Sequence, residues 1–251
     1  MGSNSNMPVN KNPVIAVLYH IFYEDSYEVV CKELQPLQKY SPVLLFNICT
    51  DTPGRKNMAK QLKQTFPGCF VIFTSNRGKD IGAKLALFQL LLQLEMNTDY
   101  ILLLHDKKSL QALKDITWKN DLLKIILPWN IETILQCFQQ NKNCGLIAAK
   151  KYIITEPIEN NQFTGMNGTL LERLLVSYDI KPASFEFVGG TMFWARATPL
   201  LEFFMRHNPL EIRKELENGN VIDNFSGTTT HSWERLLSWI VTAEKFYIKG
   251  I

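Results

Sequence analysis

Several features that would assign a sequence to a class at once are missing here. The chain has 5 cysteines in 251 residues; their odd number and wide spacing argue against a disulfide framework or a zinc site, so we predict reduced thiols in a cytoplasmic protein. No apolar run is long enough to cross a bilayer. The polar segment 1–12 lacks the apolar core of a signal peptide, and we expect a disordered leader there.

Other absences exclude particular chemistries. The net charge of +3 suits an anionic ligand but falls short of a nucleic-acid-binding footprint, and no basic tract is interleaved with aromatics, so we expect no nucleic-acid partner. No nucleophile-elbow pattern is present, which disfavours a serine hydrolase. His20, His105 and His231 are not spaced as zinc ligands.

Four apolar runs in the first half predict buried parallel strands with amphipathic helices between them. The runs are Val14–His20, Pro42–Ile48, Cys69–Thr74 and Tyr100–Leu104. Strand and helix alternate, which is typical of a doubly wound sheet.

The second half is less regular, although it carries helix and strand patterns of its own. The predicted elements are helix Leu122–Gln140, strand Cys144–Ala149, helix Gly168–Tyr178, strand Phe185–Ala195 and helix His231–Glu244. Pro128 either kinks the first of these helices or divides it. We predict one α/β domain over residues 13–251, with a central, mostly parallel sheet flanked by helices.

The fourth run ends in His105-Asp106-Lys107-Lys108-Ser109, where ligands of open α/β sheets bind. Two lysines and a carboxylate favour a phosphate-bearing ligand over a simple polar exit from the strand. Asp106 is suited to hold Mg²⁺ or Mn²⁺ that bridges to phosphates. Alternatively, Lys107 and Lys108 neutralise a leaving diphosphate without a metal. Both alternatives stay open.

The loop Asn76-Arg77-Gly78-Lys79-Asp80 lies between a predicted strand and helix. Its glycine permits close approach of a ligand, and the helix start offers free N–H groups to an anion. Arg77 and Lys79 add positive charge, while Asp80 either caps the helix or accepts a hydrogen bond from a ribose or base. A plain turn explains the pattern equally well.

Two later segments carry possible roles in sugar binding and proton transfer. Gly189-Gly190 would let a sugar ring lie against the backbone, although a bulged buried strand is the simpler interpretation. His231 and Glu234 share a helix face, and either is a candidate general base. A threonine-capped helix with a Glu234–Arg235 ion pair explains the second segment as well.

These four segments, taken in their order along the chain, resemble the rhamnan synthesis protein F family of bacterial polysaccharide glycosyltransferases. The resemblance spans roughly residues 14–246. It implies a GT-A-like fold and transfer of a sugar, typically L-rhamnose, from a nucleoside diphosphate donor to a growing glycan.

The resemblance also implies roles by position. Asn76, Arg77 and Asp80 would bind the nucleotide, and residues 105–107 would occupy the place of the metal-binding acidic motif of GT-A enzymes. Two departures matter. Asp106 stands where the family has threonine, which strengthens the case for a metal. Ser226 stands where the family has aspartate, with Asp223 nearby as a substitute base.

We therefore expect a glycosyltransferase acting by direct displacement with inversion. His20 and Asp51 would flank the base and ribose, residues 77–80 the nucleotide and residues 105–108 the diphosphate. Gly189-Gly190 would form the sugar wall. Glu234, or else His231 or Asp223, would remove the proton of the acceptor hydroxyl.

The acceptor would be a glycan or a lipid-linked saccharide. A basic helix face carries Lys56, Lys60 and Lys63, and we interpret it as exposed to solvent rather than bound to an anionic membrane surface. We therefore expect a cytoplasmic location, with the inner face of the membrane as the alternative. A nucleotidyl or phosphoryl transferase would need a second metal-binding carboxylate near Asp106. A non-catalytic binding module would be favoured if Glu234 lay far from His105.

Overall fold

The computed structural model describes residues 12–106, 114–160, 162–222 and 227–251. The predicted leader lies outside these residues except for Asn12. Lys107, Lys108 and Asp223 also lie outside them.

A seven-stranded sheet forms the centre of the fold. Its strands are β1 (Ile15–Ile21), β2 (Val43–Cys49), β3 (Phe70–Thr74), β4 (Tyr100–His105), β5 (Cys144–Ala148), β10 (Phe193–Arg196) and β11 (Tyr247–Gly250). The spatial order is β3-β2-β1-β4-β10-β5-β11. β10 is antiparallel to both neighbours and the other pairs are parallel. The order of the first four strands is that of a Rossmann-type half-sheet.

In the described residues, four short strands lie outside the central sheet. They are β6 (Ile153–Thr155), β7 (Ile158–Glu159), β8 (Gln162–Phe163) and β9 (Glu186–Val188). β6 pairs with β9, and β7 pairs with β8.

Nine α-helices are present in the described residues, besides three short 3₁₀-helices. The α-helices are α1 (Tyr27–Leu34), α2 (Pro53–Thr65), α3 (Lys79–Gln93), α4 (Lys114–Leu122), α5 (Pro128–Gln140), α6 (Gly168–Ser177), α7 (Ala197–Arg206), α8 (Pro209–Lys214) and α9 (Thr229–Ala243). None of the described helices is long and apolar enough to span a membrane.

The sheet is buried on both faces, because alternate residues of each strand belong to two separate cores. In β1, Val17 and Tyr19 pack with α1, α2 and α5, whereas Ala16 and Leu18 pack with α3, α7 and α9. This layering explains why the central strands are almost uniformly apolar in sequence. A mostly parallel sheet between two helical layers confirms the predicted α/β fold class, with a central sheet flanked by helices.

The predicted strand Phe185–Ala195 is wrong as one element. Gly190 and Thr191 have φ of 81° and 50°, and this left-handed turn divides the segment into β9 and β10, which belong to different sheets. Pro128 is the first residue of α5, so it separates two helices, as one of the two predicted alternatives had it. The sequence patterns did not predict α7, α8 or β11.

Candidate functional site

A polar pocket of about 290 Å³ lies at the carboxyl ends of β1, β3 and β4. Its lining combines the ends of those strands with two loops. The lining residues are His20, Phe22, Tyr23, Asn76, Lys79, Asp80, His105, Asp106 and Asn220. Six of the nine were predicted as site residues from three separate motifs, and the fold brings them to one place.

A buried lysine stands behind the pocket. Lys84, one turn after Asp80 on α3, has no exposed side-chain surface, and its ammonium lies 2.8 Å from Asp80 Oδ2. It also contacts the Thr191 carbonyl oxygen at 2.9 Å, the Thr191 hydroxyl, and His105 Nδ1 at 3.2 Å. Continuing the antiparallel register of β10 and β4 by two residues brings Thr191 opposite His105, which is why one amino group reaches both.

This pairing sets the charge of Asp80. Burial alone would raise the pKa of its carboxyl, but the Lys84 ammonium, His105 and the Thr191 hydroxyl hold it well below its usual range. Burial lowers the pKa of Lys84, and Asp80 opposes that shift. Asp80 is therefore an ionised carboxylate, a quarter exposed, that presents its accessible side to the pocket.

His20 and His105 lie side by side, because β1 and β4 are paired in register at these residues. Asn47 donates through Nδ2 to the Thr74 hydroxyl, so its Oδ1 accepts the proton of His20 Nδ1 at 2.8 Å. Burial lowers the pKa of His20, although Asp106 and Asp80 oppose this. His20 is thus a neutral imidazole whose Nε2 is an acceptor. His105 Nδ1 lies 3.2 Å from Lys84 Nζ and 3.6 Å from Asp80 Oδ2.

Asp106 anchors the loop between β1 and α1. Its Oδ1 accepts from the Phe22 N–H at 2.8 Å, and its Oδ2 accepts from the Tyr23 N–H at 2.8 Å and the Ser26 hydroxyl at 2.6 Å. The side chain is only 5% exposed. Three donors from one loop explain why a carboxylate is buried at the end of this strand.

The loop after β3 is fastened to the segment before α9. The Arg77 guanidinium donates to the carbonyl oxygens of Lys214 and Leu216, so it caps α8 and does not line the pocket. Lys79 Nζ donates to the Val221 carbonyl at 2.6 Å and remains in the lining.

In the part of the chain that the structure describes, the Asn76 side-chain amide makes a hydrogen bond through its nitrogen but not through its oxygen. Its Nδ2 donates to Asn220 Oδ1 at 3.0 Å, while its Oδ1 is buried without a hydrogen-bond partner among the described residues. Such orphaned acceptors are rare in folded proteins and call for an explanation, for which a missing ligand is one candidate.

Glu234 lies on the same side of the sheet as His105. Its Oε1 accepts from the Gly190 N–H at 2.7 Å, and Gly190 precedes Thr191 of the Lys84 cluster. Its Oε2 accepts from Arg235 at 2.9 Å. Burial raises the pKa of Glu234, opposed by the Gly190 and Arg235 contacts. Glu234 is thus linked to the Lys84 cluster through Gly190, but it is not one of the residues that line the pocket.

Three other predicted residues lie at the margin of this arrangement. His231 is in the first turn of α9, where the Thr228 hydroxyl caps the helix and contacts His231 Nδ1. Gly189 donates its N–H to the Tyr152 carbonyl at 2.9 Å and does not line the pocket. Asp51 is 71% exposed, pairs with Lys56 at 3.2 Å and borders a separate depression near Phe73.

The described residues do not fit a protein-built metal centre. No three described His, Cys, Asp or Glu side chains lie close enough together to hold a metal ion. Asp106 already accepts three hydrogen bonds, and Asp80 already has Lys84 as its counter-ion. The metal role of Asp106 therefore stays a prediction without a supporting ligand set.

Sequence reasoning missed Lys84, Thr191 and Asn220. Lys84 could have been identified from the sequence. It lies four residues after Asp80 in a largely apolar helix, and a buried lysine there needs a counter-charge. The role of Thr191 depends on a left-handed turn, and that of Asn220 on a contact 144 residues away. Neither leaves a local pattern.

Two solved structures show limited similarity to this chain. A mannosyltransferase, PcManGT from Pyrobaculum calidifontis, in complex with GDP-Man and Mn²⁺, is 10% identical, with 77% of this chain and 47% of that chain covered and a TM-score of 0.35. Mouse xyloside xylosyltransferase 1, in its apo form, is 10% identical, with coverages of 94% and 85% and a TM-score of 0.32.

Sequence relatives are more informative. The protein WxcX, described as uncharacterized, from two strains of Xanthomonas campestris pv. campestris is 27% identical over 237 residues, which are 92% of this chain and 32% of the relative. The chain thus spans about a third of the length of these curated relatives. The sequence profile of rhamnan synthesis protein F matches residues 2–246. The predicted class of enzyme, a glycosyltransferase of polysaccharide synthesis, agrees with this match, and the chain belongs to the rhamnan synthesis protein F family.

Proposed function

We propose that this chain is a glycosyltransferase that moves a sugar from a nucleoside diphosphate donor to a hydroxyl group of a glycan acceptor. The observation that carries the proposal is the convergence of the Asn76–Asp80 loop, the β4 end and the Gly190–Glu234 contact on one edge of the sheet. Family membership supports the same reaction class.

The pocket offers the groups that a nucleoside requires. The Asp80 carboxylate, the orphaned Asn76 Oδ1 and the neutral His20 are acceptors for ribose hydroxyls and base N–H groups. Lys79 supplies a positive charge to the lining. We assign the diphosphate to the same edge, where His105 lies and where the chain continues into Lys107 and Lys108.

Glu234 is the proposed general base. Its carboxylate is held at both oxygens, by Gly190 and Arg235, so its orientation is set before a substrate arrives. A raised pKa makes it a stronger proton acceptor than an ordinary glutamate. One base and one activated donor suffice for direct displacement, and inversion follows as the proposed outcome.

The finer identities rest on the family. Rhamnan synthesis supports L-rhamnose as the transferred sugar and a growing polysaccharide, free or lipid-linked, as the acceptor. A lipid-linked acceptor would place the reaction at the inner face of the membrane.

A thermal-shift screen tests the donor site. UDP, GDP, CDP, ADP and dTDP, and then their sugar conjugates, are added to the purified chain with and without Mn²⁺. A bound ligand stabilises the folded state by mass action, by about 2.7 kcal/mol at a hundredfold excess over Kd. We expect one base to raise the melting temperature and its sugar conjugate to raise it further. A melting temperature unchanged by every nucleotide would reject the donor site.

Glu234→Gln tests the base. The amide keeps the size and the contact with Gly190, and we expect turnover to fall about 10²–10⁴-fold with unchanged nucleotide affinity. Because burial raises the pKa of Glu234, the wild-type rate should increase with pH at values above 4.5. Glu244→Gln, a change at the far end of α9, is the matched control. Equal loss in both variants, or no loss in Glu234→Gln, would remove Glu234 from the mechanism.

A further inference from the structure

The ammonium of Lys84 has the surroundings of a bound metal ion. Four acceptors face it: a carboxylate oxygen of Asp80, the carbonyl and hydroxyl oxygens of Thr191, and His105 Nδ1. The ammonium has three protons, so these acceptors use them all. The side chain has no exposed surface and therefore does not touch a ligand itself.

The same four groups are a donor set for a divalent cation. Mg²⁺ and Mn²⁺ prefer carboxylate, carbonyl and hydroxyl oxygens, and Mn²⁺ also accepts imidazole nitrogen. The cluster lies directly behind the pocket, because Asp80 and His105 belong both to the cluster and to the pocket lining. A lysine tethered to α3 thus occupies a position where a metal ion would have these ligands.

We propose that the Lys84 ammonium is a built-in cation that fills a divalent metal site, so that the donor pocket binds a nucleoside diphosphate without a metal ion. Lys84 is then a positioning residue, which keeps Asp80 ionised and holds it beside His105. The part of the proposal that concerns the nucleotide rests on the proposed function. The part that concerns the cation site does not.

Electrostatics supports this assignment. The Lys84 charge balances that of Asp80 within 2.8 Å, and a divalent ion brought to the same carboxylate would meet a positive charge in a poorly solvated place, where repulsion is strong. Asp106 does not offer an alternative, since its oxygens hold the loop after β1.

The first experiment measures Mn²⁺ binding by electron paramagnetic resonance, without nucleotide. We expect no tight Mn²⁺ site in the wild type. Lys84→Ala removes the ammonium and its stem, and should bind one Mn²⁺ per chain. Lys84→Met removes the charge but keeps the stem volume, and should bind none. Adding Asp80→Asn to Lys84→Ala should weaken Mn²⁺ binding at least about tenfold, because the carboxylate ligand is lost. A folded Lys84→Ala chain without a Mn²⁺ site would overturn the cation-site assignment.

The second experiment measures nucleotide affinity by calorimetry, with the nucleoside diphosphate that gives the largest thermal shift. Wild-type affinity should be the same in EDTA and in Mn²⁺. Lys84→Ala should bind weakly in EDTA and recover in Mn²⁺, whereas Lys84→Met should not recover. Lys119→Ala, which breaks a 2.9 Å lysine–carboxylate pair with the buried Glu33 in the other helical layer, should behave as wild type.

The two proposals fail in different ways. If wild type binds the nucleotide only with Mn²⁺, the proposal of a metal-free donor pocket is wrong while the proposed function stands. This measurement tests that proposal even if no Lys84 variant folds. If no nucleotide binds under either condition, the proposed function fails, and the Mn²⁺ experiment still decides the nature of the cation site.

Discussion

Asp80 and Asp106 line the same pocket but are held in opposite ways. Asp80 is paired with a buried ammonium and keeps one side open to the pocket. Asp106 is saturated by two backbone N–H groups and a hydroxyl from a single loop. A carboxylate paired with a cation remains available to a ligand, whereas one that satisfies backbone donors is part of the fold. The comparison predicts that changes at Asp106 act mainly on stability and changes at Asp80 mainly on binding.

Asp106→Ala should have the largest effect on stability. It leaves two N–H groups and a hydroxyl of the loop after β1 without acceptors, which should lower the free energy of unfolding by about 4 kcal/mol. Urea denaturation at pH 7 measures this loss. Glu132→Ala, at an exposed helical carboxylate paired with Lys39, should leave stability unchanged. A loss no larger than in that control would show that the loop does not depend on Asp106.

Asp80→Asn should have a smaller effect on stability, about 2 kcal/mol, because the Asn amide oxygen and Thr191 remain as neutral acceptors for Lys84 and only a charge-assisted hydrogen bond is weakened. Nucleotide affinity should fall more than in any Asp106 variant that remains folded. The pKa of Lys84 is already lowered by burial, and loss of Asp80 lowers it further. The unfolded chain then binds more protons than the folded one, so the stability of the variant should increase with pH up to the pKa of free lysine. Urea midpoints of the variant at pH 7 and pH 9 show whether its stability increases with pH. A lower midpoint at pH 9 would contradict the pairing of Asp80 with Lys84.

His20 should give the smallest of the three effects. Its pKa is lowered in the folded state, so below pH 6.5 the unfolded chain binds more protons and stability decreases as pH falls. His20→Gln should make the stability of the chain less dependent on pH between 7.5 and 5.5. His207→Gln, at the end of α7, is the control. In that variant the decrease in stability caused by His20 at low pH should remain. Identical profiles for wild type and His20→Gln would show that His20 is not held neutral by the fold.

The sequence predicted the sheet better than the site. The strands β1 to β4 are apolar on both faces because helices cover both, and that burial leaves an unbroken hydrophobic run. The end of β4 was predicted as a ligand edge because ligands of open α/β sheets bind beyond the carboxyl ends of the strands. The apolar runs alone are therefore enough to recognise the Rossmann-type half of the fold.

The roles of individual side chains were less predictable. Asp106 looked like a metal ligand because sequence shows the type of a residue but not the backbone N–H groups of Phe22 and Tyr23 that face it. Arg77 was predicted to bind the nucleotide, yet its guanidinium caps α8, 137 residues away. Contacts of this range depend on how the second half of the chain folds over the first, where the patterns were weakest.

The reversed direction of β10 has a consequence for how such a site can evolve. In a uniformly parallel sheet, only the connections that leave strands face the ligand, and those that enter strands lie at the opposite end. Because β10 runs against its neighbours, the turn that enters it arrives beside the end of β4, and it brings Gly190 and Thr191 with it. One inverted strand therefore adds a further loop to this edge of the sheet, beside the loops that leave the strands sharing the other direction.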